Sequence, residues 1–483
     1  MQFTTQEILY ALIPLVLHVP AIFFLLVSER RQPSATLAWL LALVFLPIVG
    51  LILYLLIGRT RSRHIADRIQ FSVGKVEQVL QEHSVFGPVH KTALRKNEPR
   101  TATMALLGRE LASTPALDGN RARLLIDAEQ TYTKIIEAVE NAREHIHVQF
   151  YIIQPDETGD ALRALLTRRA REGVQVRVLV DGLGSAALPS DYWNPLIEAG
   201  GQAAAFRPMW GALTRILKRD RIDYRNHRKI VVVDGKLGFT GGINVGREYL
   251  GLDPSIGNWR DTHVLLEGPA VLALQKTFAE DWLLTTSELL EDPSYFPETK
   301  VDPDESCIVQ VLDSGPDRRW SPIAFYQNHI FALASKRAWI TSPYFIPSPS
   351  LEDALISASL RGVDVRLLVP MRSDNRLVAW AAASYYPRLI EAGVRIYRYD
   401  RGFVHAKTLV VDDWVASVGS ANMDLRSFHL NFELNVFVYG PKFAGDLARQ
   451  FEEDLQQATE LREVPSSWRI MRGNLARIFS PLL

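Results

Sequence analysis

Two histidines and two lysines recur in this chain at matched intervals. His227-Arg228-Lys229 is followed by Ile-Val-Val-Val-Asp234 and then by Gly241-Gly242-Ile243-Asn244. Near the C-terminal end His405-Ala406-Lys407, Asp412, Gly419-Ser420 and Asn422 repeat every spacing. Two matched copies imply one site built from two halves. Brought face to face, two imidazoles and two ammonium groups make a cationic pocket that holds both a nucleophile and a general acid. Such a pocket suits phosphodiesters. One neutral His attacks phosphorus, the other, protonated, donates to the leaving oxygen, and the roles reverse when a second acceptor enters. Lys229 and Lys407, with Asn244 and Asn422, would stabilise charge on the non-bridging oxygens. The scheme requires no metal and no cofactor.

Each imidazole needs a partner on its other ring nitrogen to fix its tautomer. Asp261, in Trp259-Arg-Asp261-Thr-His263, and Glu433, in Asn431-Phe-Glu433-Leu-Asn435, stand at comparable places downstream of the two motifs and are the expected orienting carboxylates. Gly242 and Ser420 are small enough to let the backbone approach a ligand. Asp234 precedes a glycine in a hairpin dipeptide. Orientation through backbone hydrogen bonds is therefore expected of it rather than proton transfer. Asp412 holds the matching place in the second motif.

Rigid elements must carry these groups. In an extended strand side chains alternate faces, so the His and Lys of each motif, two residues apart, lean the same way. Ile230 to Val233 and Thr408 to Val411 are short apolar runs that predict buried strands. Around them the chain repeats itself at length. Arg171-Glu-Gly173-Val-Gln-Val-Arg177 echoes Leu360-Arg-Gly362-Val-Asp-Val-Arg366, and Leu196-Ile-Glu-Ala-Gly200 returns as Leu389-Ile-Glu-Ala-Gly393. Strands at His145 to Ile152, Val174 to Val180, Trp339 to Phe345 and Val363 to Val369 alternate with helices at Leu162 to Arg171 and Leu351 to Leu360. That alternation predicts an α/β layered domain in each half. A pseudo-two-fold pair brings equivalent motifs together across its axis.

At 483 residues the chain can build two sizeable cores. Its 54 basic and 54 acidic residues cancel, so no global field draws it onto nucleic acid. Cys307 is the single cysteine, which excludes a disulfide framework or a cysteine-based metal cluster. Ile8 to Val27 and Thr36 to Ile57 are apolar runs, each long enough for a hydrocarbon core of roughly 30 Å. With no basic segment before the first and a second run directly behind it, a retained transmembrane hairpin is expected rather than a signal peptide. Arg59, Arg61, Arg63 and Arg68 outweigh Arg30 and Arg31, which places both termini and the catalytic portion in the cytoplasm. The expected division is 1–60 membrane hairpin, 61–120 connector, 121–300 first domain, 301–465 second domain, and 466–483 a basic and apolar tail. Interfacial anchoring is preferred for that tail, from Trp468 onward. The basic, apolar stretch from Trp210 to Arg228 is either an ordinary surface helix or a contact with anionic lipid. The aromatic stretch from Trp380 to Tyr386 is read as core.

The paired His-x-Lys-x4-Asp-x6-Gly-(Gly/Ser)-x-Asn pattern resembles the phospholipase D superfamily. The N-terminal Pro33-Ser-Ala-Thr-Leu-Ala-Trp39 and Leu46-Pro47-Ile-Val-Gly50, with Asp424-Leu-Arg426-Ser427 and Phe479-Ser-Pro-Leu-Leu483, are similar to its bacterial cardiolipin synthase branch. The resemblance implies two pseudo-symmetric phospholipase D-like α-β-α domains forming one active site, preceded by a transmembrane helical hairpin in the bacterial plasma membrane. It further implies that one phosphatidylglycerol forms a phosphatidyl-histidine, that glycerol leaves, and that a second phosphatidylglycerol attacks to give cardiolipin. By that similarity His227 is the nucleophile and His405 the acid, then base, although pseudo-symmetry leaves the reverse assignment open. A hydrolase, with water as acceptor, uses the same histidines. Oligomeric state is not legible.

Overall fold

A computed structural model of the chain describes residues 19–23, 25–27, 33–54, 58, 63–83, 85–86, 99–208, 221, 223–254, 256–299, 305–318, 320–462 and 467–478. Outside the described residues lie the first apolar run up to His18, most of the Trp210 to Arg228 stretch, and residues 479–483 of the tail. The chain separates into two compact units, residues 1–71 with 208–224, and residues 72–207 with 225–483.

In the smaller unit the second apolar run forms two short helices, Pro33–Phe45 and Pro47–Leu53. Pro47 has no amide hydrogen and cannot continue the helix before it. The chain doubles back at Leu46. The Trp39 and Tyr54 rings meet edge-on at 5.5 Å, and a Cβ on Gly50 would lie 2.2 Å from the Ala42 carbonyl oxygen. The single continuous span expected over Thr36 to Ile57 is thus absent, and no helix among the described residues is long and apolar enough to cross a membrane.

The larger unit is organised by one sheet. The first half supplies β1 (Leu117–Ile126), β2 (His145–Phe150), β3 (Gln175–Asp181), β4 (Gln202–Phe206), β5 (Ile230–Val233), β6 (Leu237–Gly241) and β7 (Thr262–Glu267). The second supplies β8 (Cys307–Ser314), β9 (Arg337–Thr341), β10 (Asp364–Pro370), β11 (Arg395–Tyr399), β12 (Thr408–Val411), β13 (Val415–Gly419) and β14 (Asn431–Tyr439), with β15 (Ala458–Glu460) at the edge. Their order is β4-β3-β2-β5-β6-β7-β1-β8-β14-β13-β12-β9-β10-β11-β15. Read outward from the β1–β8 pair, both halves give the same sequence of equivalent strands. The duplication written in the sequence therefore becomes two copies of one sheet joined edge to edge.

Every residue of β5 and β12 is buried, as their continuous apolar character requires. Separate apolar cores lie in the halves, one around Ile146, Val178 and Val231, the other around Ile340, Leu367 and Leu409. The helix Pro99–Ala112, ahead of the first half, adds Met104 and Ala105 to the core of the second. Helices Glu157–Arg171 and Pro349–Leu360 cover the stretches expected to be helical. Helix Ala270–Thr286 is buried from Ala270 through Leu284, on all sides, and so lies inside the layers rather than on them.

Candidate active site

Both histidines stand just ahead of β5 and β12, held there by strands of the opposite half. Arg225-Asn226 pairs in parallel with Asn431-Phe432, and the His227 amide donates to the Phe432 carbonyl at 2.9 Å. In the twin, Gly402–Val404 pairs in parallel with Asn258–Arg260, and the His405 amide donates to the Arg260 carbonyl at 2.7 Å. The residue after each of these partner strands is an orienting carboxylate. Crossed pairs result: Glu433 lies 3.1 Å from His227 Nδ1, and Asp261 lies 2.7 Å from His405 Nδ1. Each imidazole is oriented by the other half of the molecule.

The small residues of the motifs serve those carboxylates. A Cβ on Gly242 would meet Asp261 Oδ1 at 2.1 Å, so only glycine admits the carboxylate there. In the second copy the longer Glu433 leaves room for Ser420, whose hydroxyl donates to Glu433 Oε2 at 2.6 Å. Lys229 Nζ donates to the His227 carbonyl at 2.7 Å, and Lys407 Nζ to the His405 carbonyl. Asn244 is turned inward: Nδ2 donates to the Tyr249 hydroxyl at 2.8 Å and Oδ1 accepts the Ile152 amide at 3.2 Å. Asn422 Oδ1 is buried with no hydrogen-bond partner.

Asp234 and Asp412 sit at the far ends of β5 and β12, a four-residue strand away from the lysines. Both occupy left-handed backbone positions in the hairpin turns, with φ of 53° and 48°. Asp234 accepts the amides of Arg143, Glu144 and His145 at 2.8 to 3.0 Å. Asp412 accepts those of Ser335, Lys336 and Arg337, and an Arg100 guanidinium at 2.8 Å. The carboxylates bind the start of the neighbouring strand rather than only their own turn, and fix β5 to β2 and β12 to β9.

Burial dominates the electrostatics. It pushes His227 down to about 4 and His405 to about 3, with Lys229 and Lys407 adding to the effect and the two carboxylates opposing it. Lys407 falls to about 8 and Lys229 well below its ordinary value, again through burial. Burial opposes ionisation of Asp261 and Glu433, but the facing imidazoles and lysines outweigh it and hold both below the usual carboxylate range. Each lysine acts on the histidine of the other half, so the two motifs share one polar centre.

Comparison with known proteins agrees with this architecture. The family described as cardiolipin synthase, PLD-like domain, matches residues 135–282 and 329–455, and the phospholipase D-nuclease N-terminal family matches 16–59. A cardiolipin synthase of Halalkalibacterium halodurans is 39% identical over 94% of this chain and 90% of that protein. The major cardiolipin synthase of Bacillus subtilis is 39% identical over 97% of this chain and 98% of its own length. This chain belongs to the cardiolipin synthase family of the phospholipase D superfamily. The crystal structure of Haemophilus influenzae phosphatidylserine synthase shares the fold, with a TM-score of 0.57 over 79% of this chain and all of that one, at 17% identity.

Within the family match lie site neighbours that the sequence reading passed over. Arg228, between His227 and Lys229, is buried; it donates to Asp281 Oδ1 at 2.7 Å, to Asp313 Oδ2 at 3.3 Å and to the Glu433 carbonyl at 3.1 Å. It ties the central helix of the first half to two strands of the second. The only signal in the sequence is that its twin is Ala406. The Trp259 and Phe403 rings lie 5.1 and 5.8 Å from the His405 ring, and Tyr151 lies 4.9 Å from that of His227. Among the described residues no group of three or more His, Cys, Asp or Glu could hold a metal ion.

Proposed function

We propose that the chain makes cardiolipin by transferring the phosphatidyl group of one phosphatidylglycerol to a glycerol hydroxyl of another, with release of glycerol. As a family member it is a phosphatidyltransferase of the phospholipase D superfamily. The crossed carboxylate pairs carry the reading. With Nδ1 of each imidazole engaged by a carboxylate, Nε2 is the nitrogen that reacts. His227 Nε2 attacks phosphorus and the P–N bond forms as the P–O bond to glycerol breaks, its proton supplied by His405. The second lipid's hydroxyl then passes its proton to His405 and attacks phosphorus, breaking the P–N bond and freeing His227. The assignment of attack to His227 and of acid and base to His405 rests on the resemblance to the family. Burial, with the two lysines adding to it, holds both histidines neutral. An arriving phosphate offsets the field of the lysines and lets one histidine be protonated. Lys229, Lys407 and Asn422 stabilise the pentacoordinate charge; Asn244, expected to join them, is held instead by Tyr249 and Ile152, while Asp234 and Asp412 position their strands.

The same proposal divides the chain into hairpin, connector, two domains and tail as the sequence suggests. Membership of the family and the match to its N-terminal region support membrane association. The apolar runs and their flanking arginines support a membrane anchor with cytoplasmic catalytic domains, while the turn at Leu46 supports a re-entrant second segment in place of a second full span. For the tail, helix Ser467–Arg477 leaves Trp468, Met471, Leu475 and Ile478 exposed at helical spacing, which supports interfacial anchoring.

Purified protein given labelled phosphatidylglycerol in mixed micelles is expected to yield cardiolipin and glycerol. Phosphatidic acid alone would make it a hydrolase, and no turnover would reject the enzyme reading.

A further inference from the structure

The two halves of the site match in plan and differ in polarity. Five residues after each motif's Asn stand Tyr249 and Ser427. In the first half both ends of the Asn244 amide are engaged, by the Tyr249 hydroxyl and the Ile152 amide. In the second, Asn422 Oδ1 and Ser427 Oγ are both buried without hydrogen-bond partners, although the residues are only 6% and 1% exposed. Buried polar atoms in native folds are almost always paired, so such atoms beside a reaction centre await a ligand.

The surroundings state what kind. Asp424 is buried, and its Oδ1 accepts the Ser427 amide at 2.6 Å. Asp374, on an exposed loop, accepts the Tyr344 hydroxyl at 2.5 Å. Phe345-Ile346, directly after Tyr344, pairs with Met423-Asp424, which brings the two carboxylates to one wall. Tyr344 packs against the cluster of Tyr249, Trp259 and Phe403 that encloses His405. Lys407 feels both carboxylates. In the first half the place of Tyr344 is taken by Ile152, since Ile146 and Ala338 hold the same register against Val233 and Val411. Tyr151, one residue earlier, lies among Asp181, whose oxygens accept the amides of Leu183, Gly184 and Asn226, and the guanidiniums of Arg426 and Arg225.

A phosphate offers only acceptors and would be repelled by this wall. A polyol offers O–H donors that two carboxylates and an amide oxygen can accept. We propose that Tyr344, Asp374, Asn422, Asp424 and Ser427 form the subsite for the glycerol headgroup, holding first the leaving and then the entering alcohol beside His405. The inference rests on the phosphatidyl transfer proposed above. It deepens that reading by placing alcohol recognition in the second half alone, and it makes the histidine on that side the acid and base.

The reverse reaction tests it, with the full chain, cardiolipin and free glycerol in mixed micelles, and phosphatidylglycerol and phosphatidic acid both measured. Asp374→Asn, on an exposed loop, and Ser427→Ala are the variants. Transfer to glycerol gives two phosphatidylglycerols, and hydrolysis gives one phosphatidylglycerol and one phosphatidic acid. Each variant is therefore expected to raise the KM for glycerol about tenfold or more, and to lower the ratio of excess phosphatidylglycerol (phosphatidylglycerol less phosphatidic acid) to phosphatidic acid by a similar factor. An unchanged ratio overturns the subsite, including the case in which both products fall together, since that marks a merely structural role. Ethanolamine offered in place of glycerol checks the class of ligand: preference for the amine in the wild-type protein overturns the assignment to a neutral polyol. Wild-type protein that forms no phosphatidylglycerol in excess of phosphatidic acid fails the transfer reading itself; transfer that Asp374→Asn leaves untouched fails only the subsite.

Discussion

Asp261 follows His227 closely in the chain and yet orients His405, and that inversion has kinetic consequences. Chain order suggests that each carboxylate serves the motif before it, and nothing in a linear sequence reveals the exchange, because pairing is fixed by the short parallel strands between halves. Residue types and spacings were legible at this scale; partnership was not. A phosphatidyl donor with an activated leaving group such as p-nitrophenol needs no acid in the first step. Asp261→Asn, which disturbs His405, should therefore still give a burst of p-nitrophenol and then stall, with turnover down about a hundredfold or more. Glu433→Gln disturbs the attacking His227 and should abolish the burst itself. Rapid-quench measurement separates the two, and the opposite pattern would make His405 the nucleophile.

The decisive elements are short. Strands β5 and β12 and their turns were readable, because four consecutive β-branched or apolar residues before a left-handed Asp permit little else. The three-residue pairing of Gly402–Val404 with Asn258–Arg260 had no such signature, since it depends on contacts with the opposite half. Its close approach depends on Gly402, where a Cβ would lie 2.0 Å from the Asn258 carbonyl oxygen. Gly402→Ala should push the strands apart and shift His405. A displacement of about 1 Å costs on the order of a hundredfold in rate, so kcat should fall by 10- to 100-fold while the KM for lipid changes little. A second expectation at this scale concerns the anchor. Pro47 broke a run whose length alone suggested one span. A two-span arrangement makes a cysteine at Thr36 reactive toward an impermeant thiol reagent outside intact cells. Protection of that cysteine would leave a re-entrant anchor with Leu46 at its tip.

On the scale of the whole molecule, duplication was plain from the repeated segments, but the edge-to-edge union of the halves was not. It rests on β1 and β8, which carry no repeat motif, and it buries many polar groups at once. Six imidazoles are forced toward neutrality by burial: His145 and His227 to about 4, His263 and His405 to about 3, His147 well below its usual range, and His429 lowered as well. Their folded values lie below the unfolded value near 6.5, so as pH falls the unfolded chain takes up protons first. Stability present above pH 6.5 is then lost progressively toward pH 4. Asp424, raised to about 6 by burial, works the other way between its folded and unfolded values, as do Asp127, Asp181, Glu248, Glu280 and Asp317, which burial also raises; they offset part of the imidazole contribution at the acid end of the interval. Each fully titrating imidazole contributes about 1.4 kcal/mol per pH unit, so the combined acid slope should exceed that of any single site. Equilibrium unfolding from pH 7 to pH 4 should show midpoints falling steeply in this interval. His147 is far from the reacting groups in sequence and engaged with Gln275 at 3.0 Å. His147→Gln should therefore reduce the slope by up to one proton and leave the pH profile of kcat unmoved. A slope that does not change would mean that the buried histidines do not govern acid unfolding, and that loss of the carboxylate pairs at Asp261 and Glu433 does.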